Sequence, residues 1–418
     1  MRSQRDHGCT LASLPTLGST PEASTDRRRR IGFLYNHDQV HQVAHSLPIA
    51  LTLARRNPSI EVVLAYTNER LKQEILRLAP PRDLALVTLV CLPLRSSLVQ
   101  ASVRALNVLI PAAKLAIYRE NLPFFASLDT LVVAEKTSAV LRTRYGLDRL
   151  RLVHTRHGAG DRAVVFNAAS AQFDLVLASG PKVRDRLVQD AGLDPATTVV
   201  VGYPKFDISR PPATLKFSGN GRKTVLYNPH CSPHLSSWFR EGRAVLDYFA
   251  SSQDYNLIFA PHVMLFERSV MIAIDKLSLN FPGKIADKYR RAPNIHLDLG
   301  SAASTDMSYT NAADIYLGDV SSQIYEFLRT PRPCLFLNAH NAAWRSDESY
   351  RHWTFGPVVD EEGDVMPGLE RACETHADYR AAQVEGFRYT FDLAGPSSSA
   401  RAAEAIARLA LAASARAH

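Results

Sequence analysis

Asp314-Ile-Tyr-Leu-Gly-Asp319-Val-Ser321-Ser322-Gln-Ile-Tyr-Glu-Phe-Leu328, running on through Arg329-Thr-Pro-Arg-Pro-Cys-Leu-Phe-Leu337, decides the fold. The pattern is a buried strand, a tight turn, a helix and a second buried strand. Ile315 and Leu317 lie two residues apart, Ile324, Phe327 and Leu328 share one helical face, and Pro331 and Pro333 stop the helix before Cys334. Asp319 is suited to cap the helix, which leaves free backbone N–H groups near the hydroxyls of Ser321 and Ser322. A helix start of this kind attracts an anion. An ordinary capped helix in a βαβ unit is the competing reading, and the other strand ends of the chain decide between them.

The chain has 418 residues, 46% of them hydrophobic, enough for two substantial cores. Its net charge is +8, but residues 1–30 hold six Arg against three Asp/Glu, so much of the surplus sits in a basic leader expected to be disordered. The modest surplus that remains suits an acidic ligand or an anionic membrane surface better than nucleic acid. No RNP-type aromatic signature or zinc-finger spacing is present. Five dispersed cysteines (Cys9, Cys91, Cys231, Cys334, Cys373) without a CxxC pair point to reduced thiols. No apolar run is long enough to cross a membrane, and the N-terminus lacks the apolar region of a secretory signal. The expectation is a cytoplasmic protein. Peripheral contact at the inner face of the cell membrane, through Arg27–Arg30 or a helical stretch at 96–126, stays open beside the reading of these as strand flank and sheet cover.

Short strands alternate with longer helical segments, the signature of doubly wound α/β domains. Strands are expected at Ile31–Tyr35, Glu61–Tyr66, Asp129–Ala134, Leu150–His154, Phe173–Ala178 and Thr197–Val201, with another within Asp83–Cys91. A second series follows at Thr224–Tyr227, Asn256–Phe259, Asn294–Leu297, Asp314–Leu317 and Pro333–Leu337. The Pro/Gly-rich stretch 208–222 is the linker between a first domain at 31–207 and a second at 223–395, and 396–418 reads as a terminal helix. Two Rossmann-like doubly wound domains facing a central cleft is the GT-B arrangement. In such sheets ligands sit beyond the carboxyl ends of the strands.

Chemistry-bearing residues fall at those ends. Arg156-His157-Gly158-Ala-Gly160-Asp161 places a histidine between residues that let the backbone approach a ligand, and a histidine can take a proton from an attacking hydroxyl. Asn228-Pro229-His230 and Ala260-Pro261-His262 each follow a strand, with proline fixing the exit. No carboxylate accompanies these histidines at ligand spacing, so no metal site is expected, and phosphate recognition or leaving-group protonation fits better. No cofactor is called for. Lys205, in Gly202-Tyr-Pro-Lys-Phe-Asp207, either faces the cleft or merely belongs to an interdomain turn. His37 and His41 precede the first helix, and Glu135 follows Ala134; they line the acceptor side of the cleft or are a solvated helix start and a partner for Lys136.

In order, these stretches resemble the CDP-glycerol glycerophosphotransferase family, the teichoic-acid and capsule polymerases. Arg156-His157-Gly158 is similar to its Trp-His-Gly-Thr-Pro loop, Gly202–Asp207 to Gly-Tyr-Pro-Arg-x-Asp, and Leu226-Tyr-Asn228-Pro to Tyr-Ala-Pro-Thr. Ala260-Pro-His262 resembles Lys-Pro-His-Pro, and Asp319-Val-Ser321-Ser322 resembles Asp-Tyr-Ser-Ser. The chain departs at Ala159-Gly-Asp161, His230-Cys-Ser232, Val320, and Ala260 and Val263. The resemblance implies His157 as general base. It implies that His262 and the Ser321/Ser322 helix start hold the donor pyrophosphate and stabilise charge on the departing nucleotide, which makes His157 and His262 the candidate catalytic residues; Asp319, Gly158, Asn228, His230 and Lys205 are the further candidate donor-phosphate residues. The implied partners are a nucleotide-activated polyol phosphate or sugar and a hydroxyl acceptor on an envelope glycan or lipid-linked precursor. An NDP-sugar glycosyltransferase, a sugar-nucleotide epimerase and a non-catalytic binding protein of the same fold are the alternatives. An epimerase needs a carboxylate near His157, and Asp161 is the close one.

Overall fold

The computed structural model describes residues 28–37, 39–94, 112–156, 158–162, 166–208, 213–267, 270–273, 278–360 and 365–412. The leader to residue 27, residues 96–111 of the 96–126 stretch, His157 and the linker positions 209–212 lie outside the described residues. The chain divides into two compact units, residues 1–156 with 172–177 and 398–418, and residues 157–171 with 178–397.

The first sheet comprises β1 (Arg29–Tyr35), β2 (Ile60–Tyr66), β3 (Thr88–Cys91), β4 (Thr130–Val133), β5 (Arg151–His154), β6 (Leu175–Ala178) and β7 (Thr198–Val200), in the order β3-β2-β1-β4-β5-β6-β7. The pairings of β1 with β2 and β4, and of β4 with β5, are parallel. Burial of both faces explains the unbroken apolar runs Ile31–Tyr35 and Val62–Ala65. In unit 1, helix Ser398–Leu411 buries Ala402, Ala403, Ile406 and Ala407 and packs along helix Leu47–Arg56. The alanines let the two helices approach closely, and Arg151 Nη2 donates to the Ala412 carbonyl at 3.0 Å beyond the last turn.

The second sheet is built from β8 (Lys223–Asn228), β9 (Tyr255–Phe259), β12 (Ile295–Leu297), β13 (Ile315–Gly318), β14 (Cys334–Leu337) and β15 (Val358–Val359), in the order β12-β9-β8-β13-β14-β15, all parallel. Between β9 and β12, β10 (Met271–Ala273) and β11 (Ser278–Asn280) form a separate antiparallel ribbon. Numbered within itself, each sheet repeats the order 3-2-1-4-5-6 of dinucleotide-binding folds, the first with one strand added. The strand order therefore reverses between β1 and β4 in one sheet and between β8 and β13 in the other.

The second sheet carries a core on each face because alternate side chains point opposite ways. Leu226, Ile258, Tyr316 and Phe336 join one cluster with Trp353 and Phe355; Val225, Tyr227, Leu257, Phe259 and Leu317 join the other with Trp238 and Phe249. Phe259 is fully buried, with its ring centroid 5.2 Å from that of Trp238 and 5.6 Å from that of Tyr227. Phe259→Ala is expected to cost unit 2 about 3–5 kcal/mol. Urea unfolding followed by tryptophan fluorescence checks this, and an unchanged midpoint would contradict the packing described.

Candidate functional site

In unit 2 the strand order reverses between the ends of β8 and β13, where Asn228 and Gly318 are register partners. The Asn228 side chain links three strand ends. Its Nδ2 donates to the Ala260 carbonyl after β9 at 2.6 Å, and its Oδ1 accepts from Ser321 Oγ at 2.6 Å. Asp319, next after β13, is completely buried. Its Oδ1 accepts from the N–H groups of His230 (2.9 Å) and Val320 (2.6 Å), and its Oδ2 from the N–H (2.6 Å) and hydroxyl (2.9 Å) of Ser237. Burial pushes its carboxyl up to about 6 against these four donors, which favour the charged form.

The expected capping role is corrected here. The helix begins only at Gln323 and is five residues long, and Asp319 anchors the loop after β8 instead of closing a helix end. So short a helix adds little dipole. What the turn can offer an anion is the Ser322 hydroxyl, the backbone amides that Asp319 does not engage and the groups the loops bring to it.

A second buried carboxylate fastens the segment after His157 within the same unit. Asp161 accepts from Lys182 Nζ at 2.6 Å, from the Tyr325 hydroxyl at 2.8 Å, and from the backbone N–H (3.2 Å) and Nδ1 (2.9 Å) of His352. Burial alone would raise this carboxyl, but Lys182 and His352 outweigh it and hold it well below the usual carboxylate range. Lys182 also donates to the Ala159 carbonyl at 2.8 Å and lies 3.7 Å from the Tyr325 ring centroid. His352 Nε2 meets the Asp319 carbonyl at 3.0 Å, and Trp353 Nε1 donates to that oxygen at 2.9 Å. The two ring nitrogens of His352 face two acceptors, the Asp161 carboxylate and the Asp319 carbonyl. One ring thus ties the Asp161 segment to the Asp319 turn. That connection brings Gly158 and Gly160 close to Ser322: a Cβ on Gly158 would lie 3.9 Å from the Ser322 hydroxyl, and one on Gly160 3.4 Å from its Cβ. Gly158 has φ +73°, a conformation in which a side chain would be strained.

The rings of His230 and His262 lie 5.6 Å apart. His230 Nδ1 accepts from the Ser232 N–H at 2.9 Å, and His262 Nδ1 from the Met264 N–H at 3.3 Å, so each ring carries its proton on Nε2. Burial lowers both imidazoles, and that of His230 further because protonating it would set it against His262 and the Arg162 cation. They are neutral N–H donors at neutral pH, suited to holding an anion more than to delivering a proton.

The remaining expected residues divide. Lys205 does not present its charge to a ligand: its ammonium is 2.6 Å from Glu326 Oε1, and the Tyr203 hydroxyl donates to the same oxygen at 3.0 Å. Both charged side chains are buried, and the desolvation of a lone Lys205 is what Glu326 offsets. In unit 1, Glu135 accepts from the Tyr118 hydroxyl (2.7 Å) and the N–H groups of Thr137 (2.6 Å) and Ser138 (3.2 Å), while Asn36 Nδ2 donates to Tyr118 at 2.8 Å. This network joins the ends of β1 and β4, the reversal point of the first sheet. His37 is buried edge-on to Tyr35, with ring centroids 6.2 Å apart, and His41 lies half-buried in a 3-10 turn at Val40–His45. Lys136 is lowered to about 8 by burial and by the neighbouring Arg156 charge. Sequence reasoning did not single out Arg162, Lys182, Ser237 or His352. Arg162 follows Asp161 directly, so a cation beside the glycine loop was the available signal.

No protein-family model matches the sequence, and no curated protein matches it. Solved structures do. The wall teichoic acid polymerase TagF, as a variant soaked with CDPG, is 13% identical over 92% of this chain and 90% of that one, with a TM-score of 0.57. A UDP-N-acetylglucosamine 2-epimerase is 12% identical over 92% and 96% (TM-score 0.55), and the glycotransferase of kitacinnamycin 14% identical over 91% and 99% (TM-score 0.54). The chain has a GT-B fold. At these identities the likeness carries the fold alone, and the three proteins differ in chemistry.

Asp161→Asn leaves Lys182 buried without its counter-charge, at a cost of about 3–5 kcal/mol to unit 2. Because the Asp161 carboxyl is depressed on folding, its stabilising contribution is complete above the ordinary carboxylate pKa of about 4 and is lost as pH falls below it. The gap between wild-type and variant urea midpoints should be constant from pH 7 to about pH 5 and begin to narrow below about pH 4, without closing by pH 3. A constant gap at all pH values would contradict the ion-pair assignment.

Proposed function

We propose that the chain is a transferase that moves a glycerol-phosphate-like or other polyol-phosphate or sugar unit from a nucleotide-activated donor of the CDP-glycerol type to a hydroxyl acceptor, in cell-envelope or capsule polysaccharide synthesis. The observation that carries this reading is the Asp319-anchored turn, where Ser321, Ser322, Asn228, Gly158, His230 and His262 meet at the reversal point of the second sheet. Hydroxyls, backbone amides and neutral imidazole N–H groups with Arg162 nearby form an anion-binding set. They would hold the donor pyrophosphate and stabilise the charge that develops on the departing nucleotide. His157 would take the proton of the acceptor hydroxyl. The freed oxygen attacks the phosphorus bearing the polyol, that phosphorus releases its bond to the bridging oxygen, and CMP leaves with the electron pair. His37, His41 and Glu135 of unit 1 are the acceptor-side residues in this reading.

TagF, the polymerase with a CDPG soak, shares the fold and supports the reading. Transfer of a sugar from an NDP-sugar is the second reading, supported by the fold shared with the kitacinnamycin glycotransferase. Epimerisation is less well supported, because the carboxylate it would recruit, Asp161, has both oxygens engaged by Lys182, Tyr325 and His352. Among the described residues no helix is long and apolar enough to cross a membrane. Cytoplasmic action with peripheral attachment at the inner membrane face is part of the proposal.

Incubation with CDP-glycerol, CDP-ribitol and UDP-sugars tests it. CMP release is expected; UDP release would move the assignment to sugar transfer, and silence with every donor and a range of acceptors would leave a binding protein. His157→Ala should abolish turnover with nucleotide affinity retained, and turnover within about tenfold of wild type would remove His157 as the base. Ser321→Ala, which removes a hydroxyl from the anion site, should lower turnover about 100-fold.

A further inference from the structure

In unit 2, helix His376–Thr390 and Arg351 line an open depression of about 970 Å³ whose lining includes none of the residues of the Asp319 turn. Arg380 and Arg388 rise from one face of the helix, eight residues and so about 12 Å apart along its axis. Both are exposed, and among the described residues neither is paired with a carboxylate. Against these two guanidinium groups and that of Arg351, the lining holds one carboxylate, Glu385. Between the arginines the lining is formed by Ala381, Val384 and Glu385, and Ala377 lies one turn before Arg380, so the small side chains leave a ligand room to lie along the helix.

The third cation is held in place before any ligand arrives. The Arg351 guanidinium lies 4.9 Å from the centroid of the Tyr389 ring, whose hydroxyl donates to Asp185 Oδ2 at 3.0 Å. A side contact to Glu348 Oε2 at 3.3 Å is mostly solvent-facing and weak. The next two residues, His352 and Trp353, are buried and hydrogen-bonded to Asp161 and to the Asp319 carbonyl, so the backbone beneath Arg351 is fixed. A cation ordered in advance loses less entropy on binding.

We propose that this depression binds a ligand carrying two or more phosphate groups, held by Arg351, Arg380 and Arg388. Planar guanidinium forks match phosphate oxygens two at a time, and their spread along the helix favours an extended oligoanion over a single ion.

Tripolyphosphate added to the full chain, with hydrogen–deuterium exchange to locate it, tests the assignment. Slowed exchange is expected in peptides covering 348–355 and 376–390, with the probe affinity read from that protection lowered at least about tenfold in the Arg380→Gln/Arg388→Gln double variant. Both substitutions are on exposed side chains, so the core is preserved, and circular dichroism verifies it. No protection at 376–390 with millimolar probe, or protection unchanged in the double variant, overturns the site. Protection confined to 319–322 would also overturn it while supporting the donor-phosphate reading, so the two stand or fall separately. Flotation with phosphatidylglycerol vesicles is the second arm. Vesicle binding that needs the arginines, without tripolyphosphate protection, would assign them to a membrane surface and overturn the soluble ligand.

Discussion

The buried carboxylate of Asp319 is the contact on which the rest of unit 2 depends. Three backbone N–H groups and one hydroxyl converge on it from the loop after β8 and from its own turn. Its carbonyl receives the side chains of His352 and Trp353. A carboxylate so far from water is costly, as its raised pKa of about 6 reflects, and only this number of donors makes the charged form tolerable. The consequence is rigidity at the turn proposed to bind the donor. Ser321 and Ser322 follow directly, and the loop carrying His230 is held by the same two oxygens.

Both sheets reverse their strand order at one point, and in each the polar residues of the chain gather there. In unit 1 the gathering is Asn36, Tyr118 and Glu135; in unit 2 it is Asn228, Asp319 and Ser321. The two differ in charge logic. The unit 1 network leaves a carboxylate bound by neutral donors, with Lys136 and Arg156 close to each other. The unit 2 site consumes its carboxylates and the Ser321 hydroxyl internally and presents the Ser322 hydroxyl and neutral imidazoles. That asymmetry is the basis on which the donor phosphate is proposed for unit 2.

Strand positions and strand-end motifs were legible in the sequence because a parallel sheet covered on both faces writes itself as short apolar runs, and the residues gathered at its carboxyl edge come immediately after them. Asn228, His230, Ser321 and the Gly158 loop were all reachable by that rule. Partnerships across the chain were not. Lys205 read as a cation beside a ligand because nothing local reveals Glu326, 121 residues away, as its partner. Asp319 read as a helix cap because local pattern cannot distinguish a carboxylate that caps forward from one that reaches back to residues 230 and 237. His352 carried no signal at all: its role exists only because Asp161 and the Asp319 carbonyl lie on either side of its ring. The two-residue edge strand β15 and the ribbon of β10 and β11 are too short for periodicity to declare them.

The central claim is that the turn at Ser321 and Ser322 is the donor-phosphate cradle. A crystal structure of the protein soaked with CDP-glycerol tests this directly. The account predicts pyrophosphate oxygens within hydrogen-bond distance of the Ser321 or Ser322 hydroxyls and of at least one imidazole of His230 and His262. A nucleotide whose phosphates bind elsewhere, with this turn contacting only solvent, would contradict it.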